Sequence, residues 1–182
     1  MTLVQPAHAT LMAQYNAWMN TKLYEAAATL APEALSAERG AFFGSILGTL
    51  NHIVVGDTLW LKRFATHPAQ PAALEALEVV RQLPNPLGLD EVLFTDLTAL
   101  RQRRTLLDEA ISAWVAALTA EDLAANLDYA NTKGMAQTKP LGSLLLHFFN
   151  HQTHHRGQAT TLLSQAGVDV GETDLLALIS NA

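Results

Sequence analysis

Four of the seven histidines in this 182-residue chain fall within nine positions: His147, His151, His154 and His155, in LLHFFNHQTHHRGQ. Two histidines four residues apart on a helix project from one face, one turn apart, so both imidazoles can reach a single ion. His147/His151 and His151/His155 are such pairs. A catalytic metal site usually takes about three protein ligands and keeps a position for water or substrate. His52 is the best third donor. It lies between Gly48 and Gly56, one turn to either side. A helical glycine costs about 0.5 to 1 kcal/mol relative to alanine, so this pair marks either a close approach at the site or tight helix packing. The competing reading of the cluster is a histidine-rich helix with polar positions facing solvent. Gln152 follows His151, so the HExxH pattern of zinc peptidases is absent, and no carboxylate is placed as their general base. His8 and His67 read as surface or satisfied core residues.

The elements that must position these residues are helical. Alanine and leucine dominate and β-branched runs are scarce. Apolar steps of three and four residues predict a helix from about His8 to Leu30, another from Ser45 to Ala65 and a third from Glu91 to Leu118, ended by Thr119 and Asp122. A fourth starts near Thr138 or Lys139, tolerates Pro140 in its first turn and stops at Gly167. Residues 67–89 hold five Pro or Gly residues and form a long connector, with room for a short helix over 72–82. Residues 126–138 alternate and contain Lys133-Gly134, which predicts a small hairpin. A short helix over 173–179 completes the tail. The expected fold is all-α: one domain over residues 1–182, a four-helix bundle with a long crossover between helices two and three and a hairpin-like excursion before helix four.

Composition narrows the class. With 49% hydrophobic residues the chain can bury a core. Its net charge of −6 speaks against nucleic acid as main partner. The densest basic cluster, Arg101, Arg103 and Arg104, reads as a solvated helix face. No apolar run approaches a membrane span, and the start lacks signal-peptide features, so a cytoplasmic protein is expected. Zero cysteines exclude a thiol nucleophile from the chain itself. Asp57 is unusual, a carboxylate inside an apolar stripe. It is expected to pair with Arg63, Arg156 or a core tyrosine.

Three segments carry a resemblance over nearly the whole chain: Tyr15-Asn16-Ala17-Trp18, LNHIVVGDTLWLKRF and NHQTHHRGQ. In that order they resemble the DinB/YfiT-like proteins, helical bundles with a metal held by one histidine of helix two and a His-xxx-His of helix four. (This DinB is unrelated to the DNA polymerase of that name.) The resemblance implies His52, His151 and His155 as ligands. His147 is then expected to line the cavity. His154, about 100° around the helix from His155, faces elsewhere. Asp57, Asn16, Tyr15 and Arg156 are further candidates for the cavity or for orienting ligands, Arg156 either binding an anionic substrate group or pairing with Asp57 or Glu25, and Gly157 leaves room for a neighbouring helix.

Three imidazoles leave a divalent ion its full charge, which lowers the pKa of bound water or thiol. Imidazole suits several transition metals; zinc or nickel is expected. Characterised proteins of the resembled family include low-molecular-weight-thiol transferases and a thiol-dependent maleylpyruvate isomerase, which implies a cosubstrate such as bacillithiol or mycothiol. The expected function is a metal-dependent transferase using a small thiol. The alternatives are a hydrolase using metal-bound hydroxide and a non-enzymatic, stress-related metal-binding bundle. A small-molecule substrate and a homodimer are expected, with Phe42-Phe43 and Phe148-Phe149 as either contact or core residues.

Overall fold

The structure, a computed structural model, describes residues 4–69 and 71–180. In chain order it contains α1 (Pro6–Ala27), α2 (Pro32–Ser36), α3 (Ile46–Phe64), α4 (Pro71–Ala76), α5 (Glu78–Arg81), α6 (Leu97–Ala117), α7 (Ala120–Ala124), β1 (Asn126–Ala130), β2 (Ala136–Pro140) and α8 (Leu141–Gln165), then a 3-10 turn at Leu175–Leu178. The fold is mostly helical. Of the long helices, α1 packs on α6 and α8, and α3 packs on the same two. Phe64 of α3 stacks on Trp114 of α6 at 4.7 Å and meets Phe148 of α8 edge-on at 5.5 Å. Phe148 and Phe149 are core residues, while Phe42 stands 87% exposed.

Helix boundaries follow local chemistry and move several of the expected ends. Ser45 caps α3 by accepting from the Gly48 N–H at 3.0 Å. Asp96 caps α6 in the same way through Ala99, so residues 91–96 stay outside a helix that the apolar spacing alone starts at Glu91. Thr119 and Asp122 do more than end α6. They form a reciprocal capping box that starts α7. Pro32 opens α2 and Pro6 opens α1, where a missing N–H costs nothing. Lys139 and Pro140 complete β2, because a residue before proline is steered away from helix. Gly167 adopts φ +81°, and the Val168 N–H closes α8 onto the Leu163 carbonyl at 3.0 Å.

The connector between α3 and α6 holds two short helices where one was expected. Ala73, Leu77 and Val80 bury one side of it against the core. The hairpin pairs Asn126 with Pro140 and Ala130 with Ala136 in an antiparallel register. Its turn is organised by Asn131, whose side-chain oxygen accepts from the Lys133 and Met135 N–H groups.

Polar side chains cross the centre of the helix packing. The Asp57 carboxylate, fully buried, accepts from Arg104 and from the Gln152 amide, the latter at 2.7 Å. Arg104 also reaches Asp108 at 3.0 Å. Asn16 and Asn20 of α1 each donate to Asp108 at 2.9 Å, and Arg156 donates to the Asn16 side-chain oxygen. Two expectations are corrected here. Asp57 pairs with Arg104, in place of Arg63 or Arg156, and Arg104 is no solvated residue, being 2% exposed. The reason is visible in the register: Leu97, Leu100, Arg104, Leu107, Ile111 and Trp114 follow one another at three- and four-residue steps, so Arg104 occupies the core stripe of α6. Arg101 lies off that stripe and pairs with Glu25 at 3.5 Å on the surface.

Candidate metal centre

Three histidines converge from two helices. His52 comes from the middle of α3, and His151 and His155 from adjacent turns of α8. The Nε2 atom of His52 lies 3.3 Å from Nε2 of His151 and 3.1 Å from Nε2 of His155. The ligating nitrogens of the trio all fall within 4.8 Å of one another. Tetrahedral zinc with Zn–N bonds of about 2.0 to 2.1 Å places its ligands roughly 3.3 Å apart, so the spacing fits a shared ion.

Hydrogen positions make the same point independently. His52 Nδ1 lies 2.7 Å from the Leu89 carbonyl oxygen. A carbonyl only accepts, so Nδ1 carries the hydrogen. His155 Nδ1 donates likewise to the Gln158 side-chain oxygen at 2.7 Å. Burial lowers the pKa of both rings, and it pushes His151 down to about 3, with the neighbouring His155 and His52 adding to the effect. Neutral rings that donate through Nδ1 present bare lone pairs at Nε2. His52 and His155 thus aim two acceptors at each other across 3.1 Å. Two acceptors cannot bond one another; a cation between them satisfies both. The residues present fit a divalent metal.

Both glycines that bracket His52 serve this arrangement. A Cβ on Gly56 would stand 2.8 Å from Cε1 of His151, so only glycine admits that imidazole against α3. A Cβ on Gly48 would stand 2.1 Å from the Phe43 carbonyl oxygen. Gly48 thereby seats the loop whose Phe43 ring stacks on His52 at 3.8 Å. We expect Gly56→Ala to keep the fold, since alanine is the better helix former, and to weaken zinc binding about 10- to 100-fold by displacing His151. A zinc titration against a chelator measures it. Gly157 has no such role, because a Cβ there would meet nothing within 4 Å.

Depressed histidine pKa values also set a pH dependence for the metal-free protein. Below the unfolded value of about 6.5 the unfolded chain binds more protons than the folded one, so stability rises with pH. The contribution of His151 is complete above about 6.5 and is lost as pH falls toward about 3. His67, buried with neither ring nitrogen hydrogen-bonded and its pKa lowered by burial, acts in the same direction. Thermal denaturation of metal-free protein from pH 7 to 5 should show a falling Tm, with a shallower fall in His151→Gln.

The other candidate residues separate into two groups. His147 lies on the α8 face that continues from His151, its ring 6.1 Å from that of His151 and 5.1 Å from Trp60. It lines a cleft of about 250 Å³ together with His52, His151 and Gly56. Asn16, Tyr15 and Arg156 do not line that cleft. Asn16 and Arg156 belong to the polar network described above, and the Tyr15 hydroxyl donates to the Thr173 carbonyl at 2.7 Å. Asp57 sits in the same network, one layer behind the centre through its bond to Gln152, the residue after His151. His154 is exposed; it bonds Gln158 and its ring meets that of His155 edge-on at 4.7 Å, but it is no member of the converging trio. Sequence reasoning missed Phe43, Leu89 and Gln158. Gln158 has a legible signal, standing three residues after His155 in the HRGQ run. Leu89 acts through its backbone, which residue type does not reveal.

Comparison with known proteins agrees with the geometry. Protein DinB of Bacillus subtilis (strain 168) is 26% identical over 162 residues, which span 88% of this chain and 87% of that protein. The uncharacterized protein YrdA of the same organism is 53% identical over 36 residues, 20% of this chain and 22% of that protein. No solved structure gives a significant match. The family model described as DinB family matches residues 5–182. With three histidines gathered as that likeness implies, the chain belongs to the DinB family.

Proposed function

We propose that the protein is a metal-dependent transferase, a four-helix bundle whose three-histidine centre activates the thiol of a low-molecular-weight cosubstrate. The observation that carries this reading is the pair of Nε2 lone pairs facing each other at 3.1 Å beside an open cleft. Three imidazoles and no fourth side-chain ligand in the cluster, among the described residues, leave room for a molecule from outside. A divalent ion such as zinc or nickel, when bound, would supply Lewis acidity and lower the pKa of a thiol or water beside it.

The chain's own residues do the rest. The Leu89 carbonyl and the Gln158 amide hold His52 and His155 in the tautomer that exposes Nε2. Phe43 covers one face of His52 and keeps water from it. No cysteine is present, so a sulfur nucleophile has to come from a cosubstrate. A cytoplasmic location and a homodimer belong to the same proposal, the latter with exposed Phe42 as a contact residue. No described helix is long and apolar enough to cross a membrane.

The test is conjugation of a generic electrophile, monochlorobimane, by metal-loaded protein with several small thiols. Turnover that needs both metal and thiol, and is lost in His52→Ala, is expected. Thiol-independent hydrolysis of an ester panel would shift the reading to a hydrolase. No activity above the His52→Ala control in either assay would overturn both and leave a binding protein.

A further inference from the structure

The stripe of α3 that bears His52 runs on beyond the centre. Steps of four, three and four residues lead from His52 through Gly56 and Leu59 to Arg63. Eleven residues at 100° each return to within about 20° of the starting direction, and all four residues line the cleft beside the imidazoles. Leu59 and Arg63 also border a larger adjoining groove of about 740 Å³ between α3, the crossover and the hairpin. Arg63 therefore marks the passage from the centre into the groove.

Its guanidinium lies against two rings and, among the described residues, makes no hydrogen bond or ion pair to the protein. The guanidinium carbon lies 4.7 Å from the centre of the Trp60 ring and 5.5 Å from that of Tyr129. Ring contacts of this kind hold the cation by its flat face and leave its in-plane N–H donors free. Arg104 and Arg156, the fully buried guanidiniums, are met by oxygen acceptors. Among the described residues no carboxylate lies within ion-pair distance of Arg63. Burial lowers its pKa, the cost of keeping this charge without an anion. Of the groove's other charged residues, Lys62 adds a second cation and Asp128 the one carboxylate, which is engaged by the Thr138 hydroxyl.

We propose that Arg63 is the anion-binding residue of this site, and that the molecule taken at the three-histidine centre is an extended small molecule with a carboxylate or phosphate at its far end. Spacing sets its length. Eleven residues at 1.5 Å separate the two Cα atoms by about 16 Å, and the long Arg63 side chain reaches back over Trp60, so the head group and the anion stand on the order of 10 Å apart. A short mercapto acid does not span that distance; a peptide-like or pantetheine-like molecule does. A planar guanidinium takes either oxyanion through paired hydrogen bonds. The inference rests on the open-centre reading above.

Two matched pairs of probes test it by calorimetry on zinc-loaded protein: glutathione against its diethyl ester, and 4′-phosphopantetheine against pantetheine. We expect at least one anionic member to bind tenfold or more tightly than its neutral partner. Arg63→Gln should abolish that preference and Arg63→Lys should keep part of it, with zinc affinity and Tm unchanged in both. The pair that shows the effect distinguishes carboxylate from phosphate. Equal binding within both pairs, no binding of either anion, or a preference that survives Arg63→Gln would overturn the proposal. S-methylated forms of the two anions separate it from the thiol reading. If they show the Arg63-dependent preference while the free thiols raise no thiolate-to-metal band on the cobalt-substituted protein, Arg63 stands and thiol activation falls.

Discussion

His52→Ala should purify without the divalent ion expected in the unaltered protein, with metal affinity reduced at least about 100-fold, since altering mere supports of a ligand already costs 10- to 100-fold. The size follows from geometry. His52 is the sole contribution of α3 to the trio, and its Nε2 is the atom that lies near both partners, at 3.3 and 3.1 Å. Without it, two imidazoles one turn apart on α8 remain, an incomplete set for a tetrahedral ion. The fold should survive, because the histidine sits at the edge of the cleft and the core beneath it is unaffected. Elemental analysis of both purified proteins, with circular dichroism to check the helices, measures this. Retention of stoichiometric metal in the variant would show that the ligand set has been misread.

Arg104→Ala should produce a large loss of stability. Arg104 is buried between two carboxylates, Asp57 and Asp108. Burial by itself would lower its pKa, but those two acids hold it above the usual arginine range. Burial pushes the Asp57 carboxyl up against the pull of Arg104 and Gln152. Removing the guanidinium leaves Asp57 fully buried and facing the charge of the partly buried Asp108. Breaking a buried pair in this way costs roughly 3 to 5 kcal/mol, and at about 2 to 4 °C per kcal/mol Tm should fall by about 6 to 20 °C. Arg104→Lys keeps the charge but cannot span both acids, and should fall between. Thermal denaturation at pH 7 checks the order. Because Gln152 links Asp57 to the helix turn that carries His151, Arg104→Ala should also weaken metal binding.

What could be read in advance, and what could not, divides by the range of the interactions involved. The long helices are encoded by periodicity, and the histidine pairs by a spacing that only a helix makes meaningful, so both were visible before any coordinates. The hairpin also announced itself, through alternation and a turn at Lys133-Gly134. Caps shifted the boundaries: Asp96 and the Thr119–Asp122 box act over three residues and override the apolar pattern around them. The partner of Asp57 was a different matter. Three arginines within four positions look like a solvated face, and only the register of Leu100, Arg104 and Leu107 shows that one of them points inward. The Leu89 carbonyl and the Phe43 ring reach His52 from loops, whose paths no periodicity encodes. The two glycines lay between these cases. Their place beside His52 was legible, but that one clears an imidazole and the other a loop carbonyl depends on the packed structure.

The proposed centre is open and built from three imidazoles. X-ray absorption on the zinc-loaded protein tests it most directly. We expect three nitrogen scatterers with the imidazole signature at about 2.0 to 2.1 Å, one exchangeable light atom, and replacement of that atom by sulfur at about 2.3 Å when a small thiol is added. A closed shell of four protein ligands, or a spectrum that no thiol alters, would contradict it.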